Sequence, residues 1–577
     1  MRFPTKRNMG RTYEDLPDDC WEPILSRLRH HHLESLSLVS KAFLSLTDRL
    51  RVSLKVVNSS KEVISKQLQR FPNLKRIDLS SSRGTLHVAL REIGQSQVNL
   101  EEINVSRKEN PPVSLLNELG LRMTGLKVFK CSYSYLTDDD LISMADNFAS
   151  LEELDISQQY FHAITDKGII ALSKKLKWLQ KIDLSSNGQI SDHSLIALST
   201  NCKLLKKVVL RHCPGVSQAG IDFLMRNSQR YSSLVLESNH KTPLVFTTSF
   251  NYVKQLNSIQ FSNMKISNNI LDEIAKAKLP LKKFHLSFCT DFTMDGLTSL
   301  LKAYQSLETL ALDGTNFLTD ENLKSLSQYL SKLTSINLNF CFKLTISSFV
   351  VIALACPIIK HIEIVLSSSS DMQKVLECSL ATPTNTLIRS VCITCTSTTL
   401  EKVLPICPNL EALNVTTLVQ SHELDIAYIV RYCSGLRHLA VNHSEKIIFR
   451  RKSDREFTCK LESLSARKSR IDDKLLKKVG ARCPNLLNLD LQGCKSVTET
   501  RVRDLAENCK RIRYMNLNCS IKVDKPLVAW LVALRPSLRN IVIPYSLDKD
   551  QTNSFVIQGC VVHPGIWEEW CLNSFDT

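Results

Sequence analysis

The sequence predicts an α/β repeat protein: a short helical segment in front of a right-handed solenoid, a horseshoe with a parallel sheet on its concave face and helices outside. Three observations predict it. At 577 residues the chain far exceeds what one hydrophobic core supports. An apolar triad spaced L-x-x-L-x-L begins at Leu74 in NLKRIDLS and recurs until nineteen starts are counted, every step lying between 22 and 29 residues. Between triads lie segments of helical spacing, such as DHSLIALSTNCKLL, where Leu195, Leu198 and Cys202 fall three and four apart.

Residues 1–13, MRFPTKRNMGRTY, are basic and lack an apolar run, so they read as a flexible N-terminus without a secretory signal. Residues 14–57 read as short helices with a linker. Pro17 and Asp18 precede a short helix carrying Ile24, Leu25 and Leu28, while Leu33, Leu36, Val39, Phe43, Leu46 and Leu50 form one helical stripe. About forty residues cannot bury that apolar surface alone, so it packs against the array or another protein.

Residues 58–545 hold the repeats. Their triads start at Leu74, Leu100, Leu126, Leu151, Leu179, Leu205, Tyr231, Leu256, Leu281, Leu307, Leu333, Ile359, Ile388, Leu410, Leu436, Leu461, Leu486, Ile512 and Leu538. In each triad the apolar residues of a short strand enter a core and the residues between them face out. An Asp or Ser at the segment start, as in TDDDL, TDKGI, SDHSL and TDENL, supplies an oxygen that caps the helix that follows. Strands about 4.8 Å apart backed by helices about 8 to 10 Å apart curve the array by roughly 20° per unit. Residues 546–577 break the period and read as a C-terminal cap.

With a Cys or Asn after the strand and another Cys closing the helix, the units resemble leucine-rich repeats of the cysteine-containing type. RCPNLLNLDLQGCKSVTETRVRDLAENCKRIRYMNLNC (482–519) and NCKLLKKVVLRHCPGVSQAGIDFL (201–224) fit best, whereas units near 231–260 and 366–400 fit poorly. Side chains on the outer strand face are candidates for binding a protein target: Lys207, Arg211, His212, Lys283, His285, Phe288, Asn337, Phe340 and Asn516. Phe288 and Phe340 follow their strands directly and are either packed turn residues or exposed anchors.

The front segment carries a second resemblance. Leu16-Pro17, Ile24-Leu25, Leu28, Leu33, Leu36, Val39-Ser40-Lys41 and Phe43 are spaced as in the F-box, and the order F-box then leucine-rich repeats is similar to that of F-box proteins, most of all the plant branch. The resemblance implies a non-catalytic specificity subunit of an SCF ubiquitin ligase. Leu16, Pro17, Ile24, Leu25, Leu28, Leu33, Leu36, Val39, Ser40 and Lys41 would meet a Skp-type adaptor, and through it cullin and RING subunits, with Phe43, Leu46 and Leu50 packed inward. The array would hold a target for ubiquitination and proteasomal degradation. The alternative is a repeat scaffold whose front helices merely cap the array. Pro23 departs from the pattern: inside a helix it removes a donor, so the helix either bends there or starts there.

The net charge of +17 is spread as pairs such as Lys206-Lys207 and Lys282-Lys283, with one denser run, FRRKSDR at 449–455, so no nucleic-acid partner is expected. Nineteen cysteines, an odd number, without a signal sequence place the protein inside the cell, in nucleus or cytoplasm. The most apolar stretch, 349–366, is broken by Pro357, Lys360 and His361, so no membrane span is expected. HHH at 30–32 reads as a solvated loop and CITC at 392–395 as repeat packing with Cys392 outward and Ile393 inward. No catalytic residues, cofactor or metal site are expected; phosphate-binding loops and nucleophile elbows are absent from the sequence.

Overall fold

The computed structural model describes residues 18–564 apart from 29–32, 34–35, 38, 57–58, 83, 109–112, 161–162, 238–248, 368–383, 418–422, 445, 450–458, 472, 519–524 and 544–559. HHH at 30–32, most of FRRKSDR, and Leu16 and Pro17 lie outside the described residues. The chain divides into two compact units, Met1–Asn239 with Thr248–Leu256, and His240–Thr247 with Asn257–Thr577.

In the first unit eight parallel strands run from Ser53–Lys55 to Ser233–Glu237, each hydrogen-bonded to the next. The register aligns one apolar column, Leu54, Ile77, Ile103, Phe129, Leu154, Ile182, Val208 and Leu234, every member 5 % exposed or less. In the second unit a parallel ladder runs from Ser258–Ser262 to Val561–Pro564, with Ile259, Phe284, Leu310, Ile336 and Ile362 in the corresponding column. Helices such as Asp166–Lys175 and Asp192–Asn201 pack beside one another between successive strands.

The ladder follows the nineteen-start frame and adds two strands to it. Ser53–Lys55 pairs with Arg76–Asp78 from within the segment expected to be linker, and Val561–Pro564 pairs with Asn540–Ile543 from within the expected cap. A separate two-stranded parallel pair joins Glu423–Asp425 to Lys446–Ile448.

Each of these helix starts is capped, at Ser191 by the expected serine, but at the other three by Thr137, Thr165 and Thr319 rather than the Asp that follows; all four accept backbone N–H bonds. The Asp beside the cap has a further task that ties one repeat to the next. Asp138 accepts the Thr165 N–H at 2.8 Å and its hydroxyl at 2.6 Å. Asp166 does the same for Ser191 at 2.9 and 2.5 Å, Asp192 for Ser217, and Asp320 for Thr345 at 2.9 and 2.5 Å. Glycine two residues further on leaves room for that carboxylate: a Cβ at Gly168 would sit 2.3 Å from Asp138 Oδ1.

The turn after the strand positions the candidate site. Seven residues after the first Leu the backbone is left-handed at Tyr133, His212, Phe288 and Phe340, with φ of 55°, 54°, 54° and 58°. Non-glycine residues accept that conformation at a cost of about 1 kcal/mol or more. The turn is held from the neighbouring repeat, because the Phe288 N–H donates to the Asp313 carbonyl at 2.8 Å and the His212 N–H to Glu237 at 2.9 Å. Beyond it a buried cysteine fills the narrow stack: Cys341 Sγ lies 3.1 Å from the Leu312 carbonyl and Cys494 Sγ 2.9 Å from the Ala466 carbonyl. In strand Ser390–Cys395, Cys392 sits on the outer face and Ile393 and Cys395 are buried.

Candidate functional site

At the front of the first unit, helix α1 (Asp18–Leu25) and helix α2 (Lys41–Leu50) close on a small core of Leu25, Leu33 and Leu46, with Trp21, Leu36, Phe43 and Leu50 against it. Trp21 meets Phe43 edge to face at 5.1 Å, and Arg49 Nε donates to Glu22 Oε1 at 3.2 Å. The predicted stripe from Leu33 to Leu50 is not one helix. Ser40 is extended, with φ −154°, and its hydroxyl accepts the Phe43 N–H at 3.2 Å, so a new helix starts at Lys41. Pro23 lies inside α1 rather than at its start, two residues before the helix ends.

This divides the expected adaptor face. Leu25 and Leu33 are interior and shape the surface without forming it. Leu36 is half-buried, and the Ser40 hydroxyl is engaged in its cap. Ile24, Leu28, Val39 and Lys41 are outside, Ile24 being 51 % and Val39 66 % exposed. Apolar side chains so exposed on so small a domain mark a surface that is incomplete alone.

On the strand face of the first unit, Arg211 and His212 meet Glu237, a residue of the next strand: Arg211 Nε lies 3.7 Å and His212 Nε2 3.3 Å from its carboxylate. Burial, and then the adjacent Lys181, pulls the Lys207 ammonium below its ordinary value. Sequence reasoning missed a second group in this unit: Tyr135 and Tyr160 pack at 4.8 Å, and the Arg107 guanidinium lies over the Tyr133 ring at 5.2 Å. Its signal was the doubled aromatic in SYSY, residues 132–135, with Tyr133 at the left-handed turn.

In the second unit, Phe288 and Phe340 are exposed by 47 % and 48 %, and their rings meet at 5.2 Å although two repeats separate them. Gly314 makes this possible: it occupies the same left-handed position in the repeat between, and a Cβ there would lie 2.6 Å from Phe288 Cδ1. Phe342, also exposed, stands edge-on to Phe340 at 6.2 Å. Lys283 is exposed, whereas His285 is pushed down to about 4 by burial and then by Lys283, so its imidazole is neutral at pH 7. Asn337 accepts the Asn339 N–H at 2.9 Å and Asn516 the Asn518 N–H at 3.1 Å. Asn516 is only 2 % exposed, which corrects its assignment to the binding face: its amide closes the turn.

Several cations at the strand edges are paired with carboxylates of the next repeat. Lys75 pairs with Glu101 and Lys282 with Glu308, both at 2.7 Å, and Arg437 with Glu462 at 3.3 Å. Such exposed pairs contribute about 0 to 1 kcal/mol each but cancel local field. Among the described residues no cluster of three or more His, Cys, Asp or Glu is placed to hold a metal ion, and no helix is long and apolar enough to cross a membrane.

Residues 14–55 match the F-box domain family. This segment is an F-box. Behind it each of the two units is a leucine-rich-repeat-type array, a parallel sheet with flanking helices. Curated relatives include coronatine-insensitive protein 1 of Arabidopsis thaliana, 33 % identical over 99 residues, which are 17 % of this chain and 17 % of that protein. F-box/LRR-repeat protein 4 of Bos taurus is 28 % identical over 123 residues, 21 % of this chain and 20 % of the relative. The aligned stretches thus span a fifth or less of those relatives' own length. Solved structures that align include the yeast Rad7 and Elc1 complex, at 15 % identity and TM-score 0.40 over 77 % of this chain and 90 % of that one. A TLR13–ssRNA13 complex aligns at 13 % identity and TM-score 0.39 over 89 % and 83 %.

Proposed function

We propose that this F-box protein is the substrate-recruiting subunit of an SCF ubiquitin ligase inside the cell, promoting ubiquitination and proteasomal degradation of a target held on its strand face. The observation that carries the proposal is the F-box at 14–55 with apolar side chains turned outward. Ile24, Leu28 and Val39, with Lys41 beside them, would dock a Skp-type adaptor. Their burial there is worth about 1.5 to 3 kcal/mol per large side chain. Cullin and RING subunits would follow through the adaptor. The chain's own contribution to chemistry would be proximity, bringing target lysines to a charged ubiquitin carrier without a catalytic side chain.

For the target, the exposed aromatics in each unit support recognition of a protein segment by insertion of apolar side chains, since aromatic anchors dominate interface energy. The test is capture of a purified Skp-type adaptor by the full chain and by the double variant Ile24→Asp/Val39→Asp. Both positions are exposed, so the variant keeps its fold. Equal capture by the two proteins would sink the proposal.

A further inference from the structure

We propose that Cys459 and Cys483 form a peroxide-oxidisable dithiol that closes to a disulfide within the native fold. The repeat frame shows why this pair differs from its neighbours. Cys407, Cys433, Cys483 and Cys509 each stand three residues before the first Leu of their triads, Leu410, Leu436, Leu486 and Ile512 taking that place. In that position the sulfur of Cys433 lies 3.7 Å from the Cys407 carbonyl and that of Cys509 3.6 Å from the Cys483 carbonyl, each in the preceding repeat, while Cys407 Sγ lies 3.4 Å from the Val403 carbonyl of its own repeat. Cys459 stands two residues before Leu461, in CKLESL where the next repeat reads CPNLLNL. One residue fewer turns its side chain from the carbonyl towards the next sulfur.

Cys459 Sγ and Cys483 Sγ are consequently 2.9 Å apart, both buried. An S–S bond of about 2.05 Å needs less than 1 Å of further approach. Either sulfur can donate its S–H to the other; the contact with Cys483 holds the Cys459 thiol below the ordinary thiol range against burial, and the contact with Cys459, then burial, pushes Cys483 far up. Either sulfur can react first, and both orders give the same disulfide.

In the order that starts at Cys459, its thiolate attacks one oxygen of hydrogen peroxide, the O–O bond breaks, and the leaving hydroxide takes a proton to become water. The resulting sulfenic acid is attacked by Cys483, which loses its proton as the S–S bond forms and a second water leaves. Two thiols and one peroxide give one disulfide and two waters. The bond would tie the approach to strand Ser463–Ser465 to the end of helix Asp473–Arg482, closing this repeat on itself.

The test treats the native full chain with hydrogen peroxide, blocks remaining thiols, and maps peptides by mass spectrometry. The expected result is a loss of two hydrogens, a crosslinked peptide joining Cys459 to Cys483 that dithiothreitol releases, and at least tenfold slower amide exchange in Asp473–Arg482. Cys483→Ser should trap a sulfenic acid on Cys459, detectable with dimedone, while Cys433→Ser should leave the crosslink intact. A folded chain that gives no crosslink, or gives Cys407–Cys433 as readily, would overturn the proposal.

Discussion

Replacing Asp166 by Ala should loosen one junction of the solenoid and leave distant repeats untouched. Its carboxylate accepts four hydrogen bonds from the next repeat: the N–H groups of Ser191 and Ser194, at 2.9 and 3.1 Å, and both hydroxyls. A hydrogen bond to a charged group contributes about 1.5 to 3 kcal/mol, but these four share one partly exposed acceptor and water replaces some of them, so the loss comes to about 2 to 4 kcal/mol. Repeat arrays are stabilised by nearest-neighbour junctions, and so the loss is local. Native-state hydrogen exchange is the suitable assay, since a chain of this length has no single unfolding equilibrium. Amides of helices Asp166–Lys175 and Asp192–Asn201 should exchange about 30- to 700-fold faster, while those of the second unit should not change. Asp166→Asn should lose much less, because Asn268 already fills this role, accepting the Thr293 N–H at 2.9 Å and donating to its hydroxyl at 2.9 Å. Equal effects of Asn and Ala, or none from Ala, would refute the reasoning.

Four further outcomes follow from the same geometry. Burial raises the Asp166 carboxyl, but hydrogen bonds from Ser191 and Ser194 outweigh it and leave its pKa lowered, so its contribution should be complete above the unfolded carboxylate pKa and lost as pH falls through the lower folded value; exchange of the same two helices against pH checks this. His285 has its folded pKa depressed to about 4, so its stability contribution should be lost as pH falls from about 6.5 to 4, and its ring resonances should show no titration between pH 6 and 8. Gly168→Ala should destabilise by about 1 to 3 kcal/mol through the Cβ set against Asp138, and Asp138→Ala should relieve part of that cost in a double-mutant cycle of thermal unfolding. Gly314→Ala, with φ 70° and a Cβ against Phe288, should part Phe288 from Phe340 and weaken target binding as far as Phe288→Ala does, measured by target capture from cells.

The ladder was legible because every repeat buries the same three positions, so a step of 26 residues from Leu205 to Tyr231 becomes the pairing of Lys207 with Ser233. Strand Ser53–Lys55 was not, because three residues with one buried Leu carry no triad. At the front, spacings of three and four continued from Leu36 to Phe43 across a cap, and only the extended Ser40 shows that the helix restarts. The strand face was legible as a set of positions and not as a set of partners. Glu237 meeting Arg211 and His212, and Gly314 admitting two phenyl rings, both depend on residues about one repeat away. Asn516 was misread because its place on the strand alternates outward while the turn folds its amide back.

The central claim is that the front of this chain docks an adaptor through a few outward apolar side chains, independently of the strand face. It is tested most directly by titrating a purified Skp-type adaptor into the full chain and measuring Kd. Ile24→Asp/Val39→Asp should weaken binding by about 100-fold or more, the loss of two buried apolar side chains at about 1.5 kcal/mol each, while Phe288→Ala/Phe340→Ala should leave Kd unchanged. Unchanged affinity in the first variant, or a comparable loss in the second, would contradict it.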